Sequence, residues 1–111
     1  MNFKIDTIDI DGNLYDIYIG KNAKGNEDII KHCHQESLWF HINNISSAHV
    51  ILDSKGDDIP KRYLVQVAKI LLDTKNNKPN NVNVIYTQVK NVKLTKQLGT
   101  VIPSRTKVIK F

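Results

Sequence analysis

The chain has 111 residues, 41% of them hydrophobic and 24% charged, which suits one core and argues against disorder or two domains of ordinary size. A lone Cys33 excludes an internal disulfide and with it a secreted disulfide scaffold. No run approaches the roughly 20 apolar residues that cross a bilayer, and the opening Met1-Asn2-Phe3-Lys4-Ile5-Asp6 lacks the apolar stretch of a signal peptide.

Lys4 to Ile10 and Leu14 to Ile19 alternate around Asp11-Gly12-Asn13, so a β-hairpin is expected there. After the polar loop Gly20 to Gly25, Asn26 is the expected N-cap of a helix of two to three turns. Glu27 and Asp28 would sit in its first turn, and Ile29, Ile30 and Cys33 on its apolar face. Leu38–Asn43 and His49–Asp53 read as paired strands around Ile45-Ser46-Ser47. With Ile45 at the centre, Trp39 faces Ile51 and His41 faces His49 on one surface, while Phe40, Ile42, Val50 and Leu52 lie on the other as core. Pro60 opens a longer helix to about Lys75, with Leu64, Val67, Ala68, Leu71 and Leu72 at helical spacing. Asn76 to Asn81, with Pro79, breaks it. Val82–Val89, a short Val92–Leu94 and a closing Thr106–Phe111 complete the strands, with a turn at Gly99. The order ββ-α-ββ-α-βββ predicts an α+β fold, one domain over residues 1–111, with a mostly antiparallel sheet and two main helices on one face. A partly open barrel is the alternative.

The net charge of +5 is unevenly divided. Residues 1–58 hold five lysines against ten acids, a net of −5, and residues 59–111 hold eleven basic residues against Asp73 alone, a net of +10. A field of one sign attracts polyanions. Nucleic acid is the expected partner, and a merely solvated lysine surface is the plain alternative. Only Arg62 and Arg105 are arginines, which favours phosphate contact over bidentate base reading. Lys90, Lys93 and Lys96 form the densest basic stretch, pinned by Val92 and Leu94. Lys21 and Lys24 lie in a loop that leads to a helix N-terminus, a frequent phosphate position, but the loop lacks the nucleotide-binding Gly-Lys-Ser/Thr ending.

His32-Cys33-His34 point about 100° apart on a helix and do not converge on one ion, so no metal and no cofactor is expected. His41 and His49, beside Trp39, form a cross-strand pair that suits either of two roles. They can line a nucleic-acid-binding face on which Trp39 stacks a base. They can alternatively act as general acid and base in RNA processing or modification, though no obvious carboxylate orients either ring.

Four segments form a pattern: Gly20-Lys21-Asn22-Ala23 with Asn26-Glu27; Leu38-Trp39-Phe40-His41; Ser46-Ser47-Ala48-His49-Val50; and Tyr86-Thr87 with Lys90-Asn91-Val92-Lys93. In this order, from about Gly20 to Phe111, they resemble the NFACT-R domain family. Asp58-Ile59-Pro60-Lys61 and the run Asn80 to Thr87 look most like its stand-alone eukaryotic form. The resemblance implies a nucleic-acid-binding module, RNA or tRNA before DNA, of a kind found in translation and ribosome-quality-control factors. Stand-alone relatives are associated with DNA binding. It further implies that a chain ending at Phe111 lacks the coiled-coil tail of that form and does not itself extend stalled nascent chains. The residues matching family motifs are Lys21, Asn22, Asn26, Trp39, His41, Ser47, His49 and Lys93. With Lys24, Lys90 and Lys96 they are the candidate nucleic-acid-binding set, and the expected setting is intracellular, cytoplasmic or nuclear.

Overall fold

A computed structural model describes residues 1–75 and 80–111. Its order is β1 (Phe3–Ile10), β2 (Asn13–Gly20), α1 (Ala23–His32), β3 (Leu38–Ile42), β4 (Val50–Leu52), α2 (Lys61–Asp73), β5 (Asn83–Gln88), β6 (Val92–Leu94), β7 (Val101–Pro103) and β8 (Lys107–Lys110). Six strands form one sheet in the order β1-β2-β4-β3-β5-β8, and β6 and β7 form a separate two-stranded ribbon. Every described pairing is antiparallel, and the fold is α+β as expected. The break expected around Pro79 lies largely outside the described residues.

The hairpin closes through Asp11 (φ 51°) and Gly12 (φ 89°), a pair of left-handed residues whose twist matches that of the strands. The Asp9 carboxylate accepts from the Gly12 N–H at 2.8 Å. Between β3 and β4 the register is Leu38–Leu52, Trp39–Ile51 and Phe40–Val50, as the alternation predicts.

Two apolar layers result, one on each face of the sheet. Phe40, Ile42, Val50, Leu52 and Ile17 pack against Leu64, Val67, Ala68 and Leu71 of α2. On the other face Trp39, Ile51, Tyr18 and Ile85 pack against Ile29 and Ile30 of α1 and Cys33 just after it. The helices therefore lie on opposite faces, a correction to the one-face arrangement. The sequence hides this because Trp39 and Ile51 alternate with His41 and His49, so their face reads as half polar.

Helix α1 also begins a turn before expected. Asn22 is its N-cap, its side-chain oxygen accepting from Gly25 N–H at 2.8 Å. Asn26 lies inside the helix and is buried. Glu27 and Asp28 are thus mid-helix, paired with Lys31 at 3.0 Å and Lys24 at 2.6 Å at i,i+4 spacing. Strand β7 has no counterpart in the expected order. Three residues ending in Pro103 give little strand signal, and β7 forms only as the partner of β6.

Candidate functional site

Three structures meet around an open cavity of about 960 Å³: the start of α1, the β3–β4 loop and the far end of the ribbon. Close backbone approach brings them together. A Cβ on Gly20 would overlap the Asn26 amide, and one on Gly99, at φ +78°, would lie 2.6 Å from the Ala23 Cβ. Glycine at these two positions lets β2 lie against α1 and the ribbon tip lie on the helix start.

Asn26 fastens the floor. Its Oδ1 accepts from the backbone N–H of His49 at 2.9 Å, while the His49 carbonyl accepts from Gly20 N–H at 3.0 Å. His49 is 3% exposed, and its ring lies edge-on to His41, with centroids 4.9 Å apart, and to Trp39 at 5.3 Å. His41 stacks on Trp39 at 5.7 Å and 15°. Burial pushes the His41 imidazole below its usual range. Burial, reinforced by the neighbouring His41, pushes His49 down to about 3. Both shifts favour the neutral imidazole, since burial without an anionic partner disfavours the charged form.

Of the expected residues, Lys21, Asn22, Asn26, Trp39, His41, Ser47 and His49 all line this cavity. Three of them spend their polar groups on the fold. Asn22 caps α1, Asn26 holds His49, and the Ser47 hydroxyl accepts from Ile42 N–H at 3.4 Å and donates to the Ala48 carbonyl at 3.0 Å. Trp39 is fully buried, against the exposed face that stacking a base on it requires. It shares the His41 face as alternation requires, but α1 covers it there.

Lys24, Lys90, Lys93 and Lys96 lie outside the cavity wall. Lys24 pairs with Asp28, and Lys90 with Glu36 at 3.0 Å. Lys93 and Lys96 are exposed, one on β6 and the other just after it. Val92 is 8% exposed and anchors the ribbon, whereas Leu94 is 36% exposed and does not. Val101 of β7, packed on the α1 face, supplies the second anchor. Lys4 and Lys75 also line the cavity and were not singled out from the sequence. Lys4 lies in the hairpin and Lys75 just past α2, so only tertiary packing brings them to Lys21. Among the described residues the wall contains no aspartate or glutamate.

The other chemical candidates diverge. Cys33 is buried and its thiol is pushed up to about 12 by burial, with Asp53 and Asp16 adding to the effect. His32 packs against Phe3 and Tyr18, while His34 Nδ1 accepts from Glu36 N–H at 3.0 Å. Among the described residues no three His, Cys, Asp or Glu side chains gather for a metal, and no helix is long and apolar enough to cross a membrane.

This fold is shared with known proteins. Residues 3–110 match the family described as NFACT protein RNA binding domain, and the chain belongs to that family. The match takes in the hairpin as well as the motifs from Gly20 onward. Coiled-coil domain-containing protein 25 of Bos taurus is 40% identical over 101 residues, covering 86% of this chain and 49% of that protein. The Danio rerio protein of the same name is 44% identical over 88 residues, 71% of this chain and 41% of that one. A Dictyostelium discoideum homolog is 33% identical over 105 residues, covering 87% and 51%. The chain thus spans about half the length of the curated relatives it matches. Among solved structures, the C-terminal part of the fibronectin/fibrinogen-binding protein from Streptococcus suis superposes with a TM-score of 0.84 at 21% identity, over 99% of this chain and 45% of that one. That likeness establishes a shared fold.

Proposed function

We propose that this protein is an RNA-binding module that holds single-stranded or tRNA-like ligands through the cavity and the lysines around it. The observation that carries the reading is the cavity wall, which Lys4, Lys21 and Lys75 line with no acid among the described residues. Lys4 also pairs with Asp6 at 3.6 Å and Lys75 donates to the Ser46 carbonyl at 2.8 Å, so Lys21 is the cation with most to offer a ligand. A concave site of one sign focuses its field on an anionic ligand. Membership of an RNA-binding-domain family supports RNA as the polyanion. Lys93 and Lys96, exposed on β6 and just after it, are further phosphate contacts in this reading. A place in translation or ribosome quality control is part of the proposal, and its direct measure is co-sedimentation with large ribosomal subunits.

Binding is favoured over turnover at His41 and His49. An acid–base pair needs one ring protonated near neutral pH and a group to orient it, whereas burial disfavours the charged form of both rings and no carboxylate stands on the cavity wall among the described residues.

The test is a salt series with labelled tRNA, single-stranded RNA and DNA of matched length. Each phosphate contact contributes about −0.7 to −0.9 to the slope of log K against log salt. Three to five contacts weaken binding by roughly one to three decades between 50 and 200 mM salt. A flat profile would remove the electrostatic account. Cleaved product that disappears in both His41→Ala and His49→Ala would favour the enzyme instead.

A further inference from the structure

The floor of the cavity carries two polar atoms that the protein leaves without partners. Trp39 Nε1 and His49 Nδ1 are both buried and neither has a hydrogen-bond partner, although both residues line the cavity. A buried polar group left unpaired costs about 1–3 kcal/mol. Native proteins therefore keep few of them, and two on one wall of one cavity point to a ligand. Indole nitrogen is a donor only and asks for an acceptor, while neutral imidazole nitrogen can accept or donate. His41 is the partly exposed ring of this cluster, lying nearly parallel to Trp39, and so is the flat surface a ligand meets first. Lys21 stands at the exposed edge, without a carboxylate partner among the described residues. By exposure the order is the buried rings of Trp39 and His49, then the partly exposed His41 ring and Ser47 hydroxyl, then the exposed Lys21.

A nucleotide has the same order: a flat heterocycle with acceptor nitrogens and carbonyls, a sugar, then a phosphate. We infer that this cavity receives one unstacked nucleotide of a single strand, its base on His41 above the Trp39–His49 layer and its phosphate toward Lys21. The inference rests on the RNA-binding reading above and adds the place where one residue of the strand is held apart from its neighbours. The volume of about 960 Å³ lies within the range of small-ligand sites, and apolar walls with a few convergent polar groups are typical of them. Inorganic phosphate alone matches only the edge. It leaves the aromatic floor without a partner.

The experiment uses the whole chain, labelled with nitrogen-15. Trp39 is the only tryptophan, so its indole N–H gives one resolved resonance. Nucleoside 5′-monophosphates, the matching nucleosides and inorganic phosphate are titrated in turn. A monophosphate is expected to shift the indole resonance saturably, the nucleoside to do so at least tenfold more weakly, and phosphate to leave it in place. Ser46→Phe and Thr100→Phe fill the cavity from two different walls, at exposed positions. Each is expected to weaken monophosphate binding at least tenfold, with a folded spectrum retained. Linear and circular single strands of one sequence then separate the sources. An indole shift with linear RNA only assigns a terminal nucleotide, and a shift with both assigns an internal one; either supports the site. RNA that binds with a normal salt slope while the indole stays unmoved overturns this inference and leaves the RNA-binding reading standing. Monophosphate affinity unchanged in both phenylalanine variants overturns it equally. Failure of every RNA to bind removes the broader reading as well.

Discussion

Burial and hydrogen bonding act on His49 in opposite senses. Its backbone N–H and carbonyl are both satisfied, by Asn26 and Gly20, whereas its ring is buried without a partner at Nδ1. The protein therefore holds the imidazole neutral, with a folded pKa of about 3, below an unfolded value near 6.5. The unfolded chain binds the proton first as pH falls. His49 thus leaves stability intact above about pH 6.5 and erodes it as pH drops toward the folded value. Between pH 7.5 and 5 the loss from this residue is about 2 kcal/mol, the slope approaching about 1.4 kcal/mol per pH unit only below pH 6.5. Urea unfolding at pH 7.5 and pH 5 reads it directly, and His49→Phe should show a correspondingly smaller drop. Equal drops in both proteins would mean that the ring is charged in the native state. Trp39→Ala should cost about 3–5 kcal/mol, as truncation of a fully buried tryptophan does. A variant that keeps its stability would restore the view of Trp39 as an exposed stacking platform. Cys33 should ignore a thiol reagent at pH 8 in the folded protein and react at once in urea, because only unfolding releases its thiolate.

Helix α1 and the ribbon are tied to the sheet by a few close approaches, and these set what each element contributes. Asn26→Ala leaves the buried His49 N–H without its acceptor and should cost about 1–3 kcal/mol. Gly20→Ala should cost more, since its methyl group collides with the Asn26 amide. If Gly20→Ala proves neutral, the approach of β2 to α1 is looser than the geometry states. The ribbon differs because its tip meets the body at Ala23 through Gly99. Gly99→Val combines a collision with a left-handed backbone and should cost more than about 1 kcal/mol. It should also weaken RNA binding by moving one wall of the cavity. Retained affinity in a folded Gly99→Val protein would place RNA elsewhere.

Across the whole molecule the charge halves of the sequence interleave in space. Arg62 of the basic half meets Asp11 of the acidic half at 3.0 Å, and Lys90 meets Glu36. These cations are partly screened by their partners, so position in the chain is a poor guide to which lysines meet RNA. Lys21→Glu should cost the most affinity and reduce the salt slope by about one or more. Lys93→Glu with Lys96→Glu should weaken binding further, and Lys90→Ala should change it little because Lys90 is already paired. The order is read by measuring all three at a single salt concentration. An effect of Lys90→Ala equal to that of Lys21→Glu would shift the interface from the cavity to the ribbon side.

Local signals were enough for the hairpin, the β3–β4 register, the long helix and the α+β class, because each depends on alternation, helical spacing or turn chemistry within a few residues. The pairing of Trp39 with Ile51 and the meeting of His41 with His49 followed from one loop centre. The motif residues from Lys21 to His49 were legible as a set, although their individual roles were not. Asn22, Asn26 and Ser47 look alike as polar motif positions, and only the folded chain shows that each is spent on a backbone group. Packing alone decided the rest. Which face of the sheet α1 covers, and therefore that Trp39 is buried, depends on long-range burial that no local period encodes. The same is true of β7, which is a strand only beside β6, and of Lys4 and Lys75, which join Lys21 from distant parts of the chain. The sequence by itself determined the elements and the chemistry available to them. The tertiary structure decided which of those groups share a surface, because proximity across a sheet is set by packing and not by spacing along the chain.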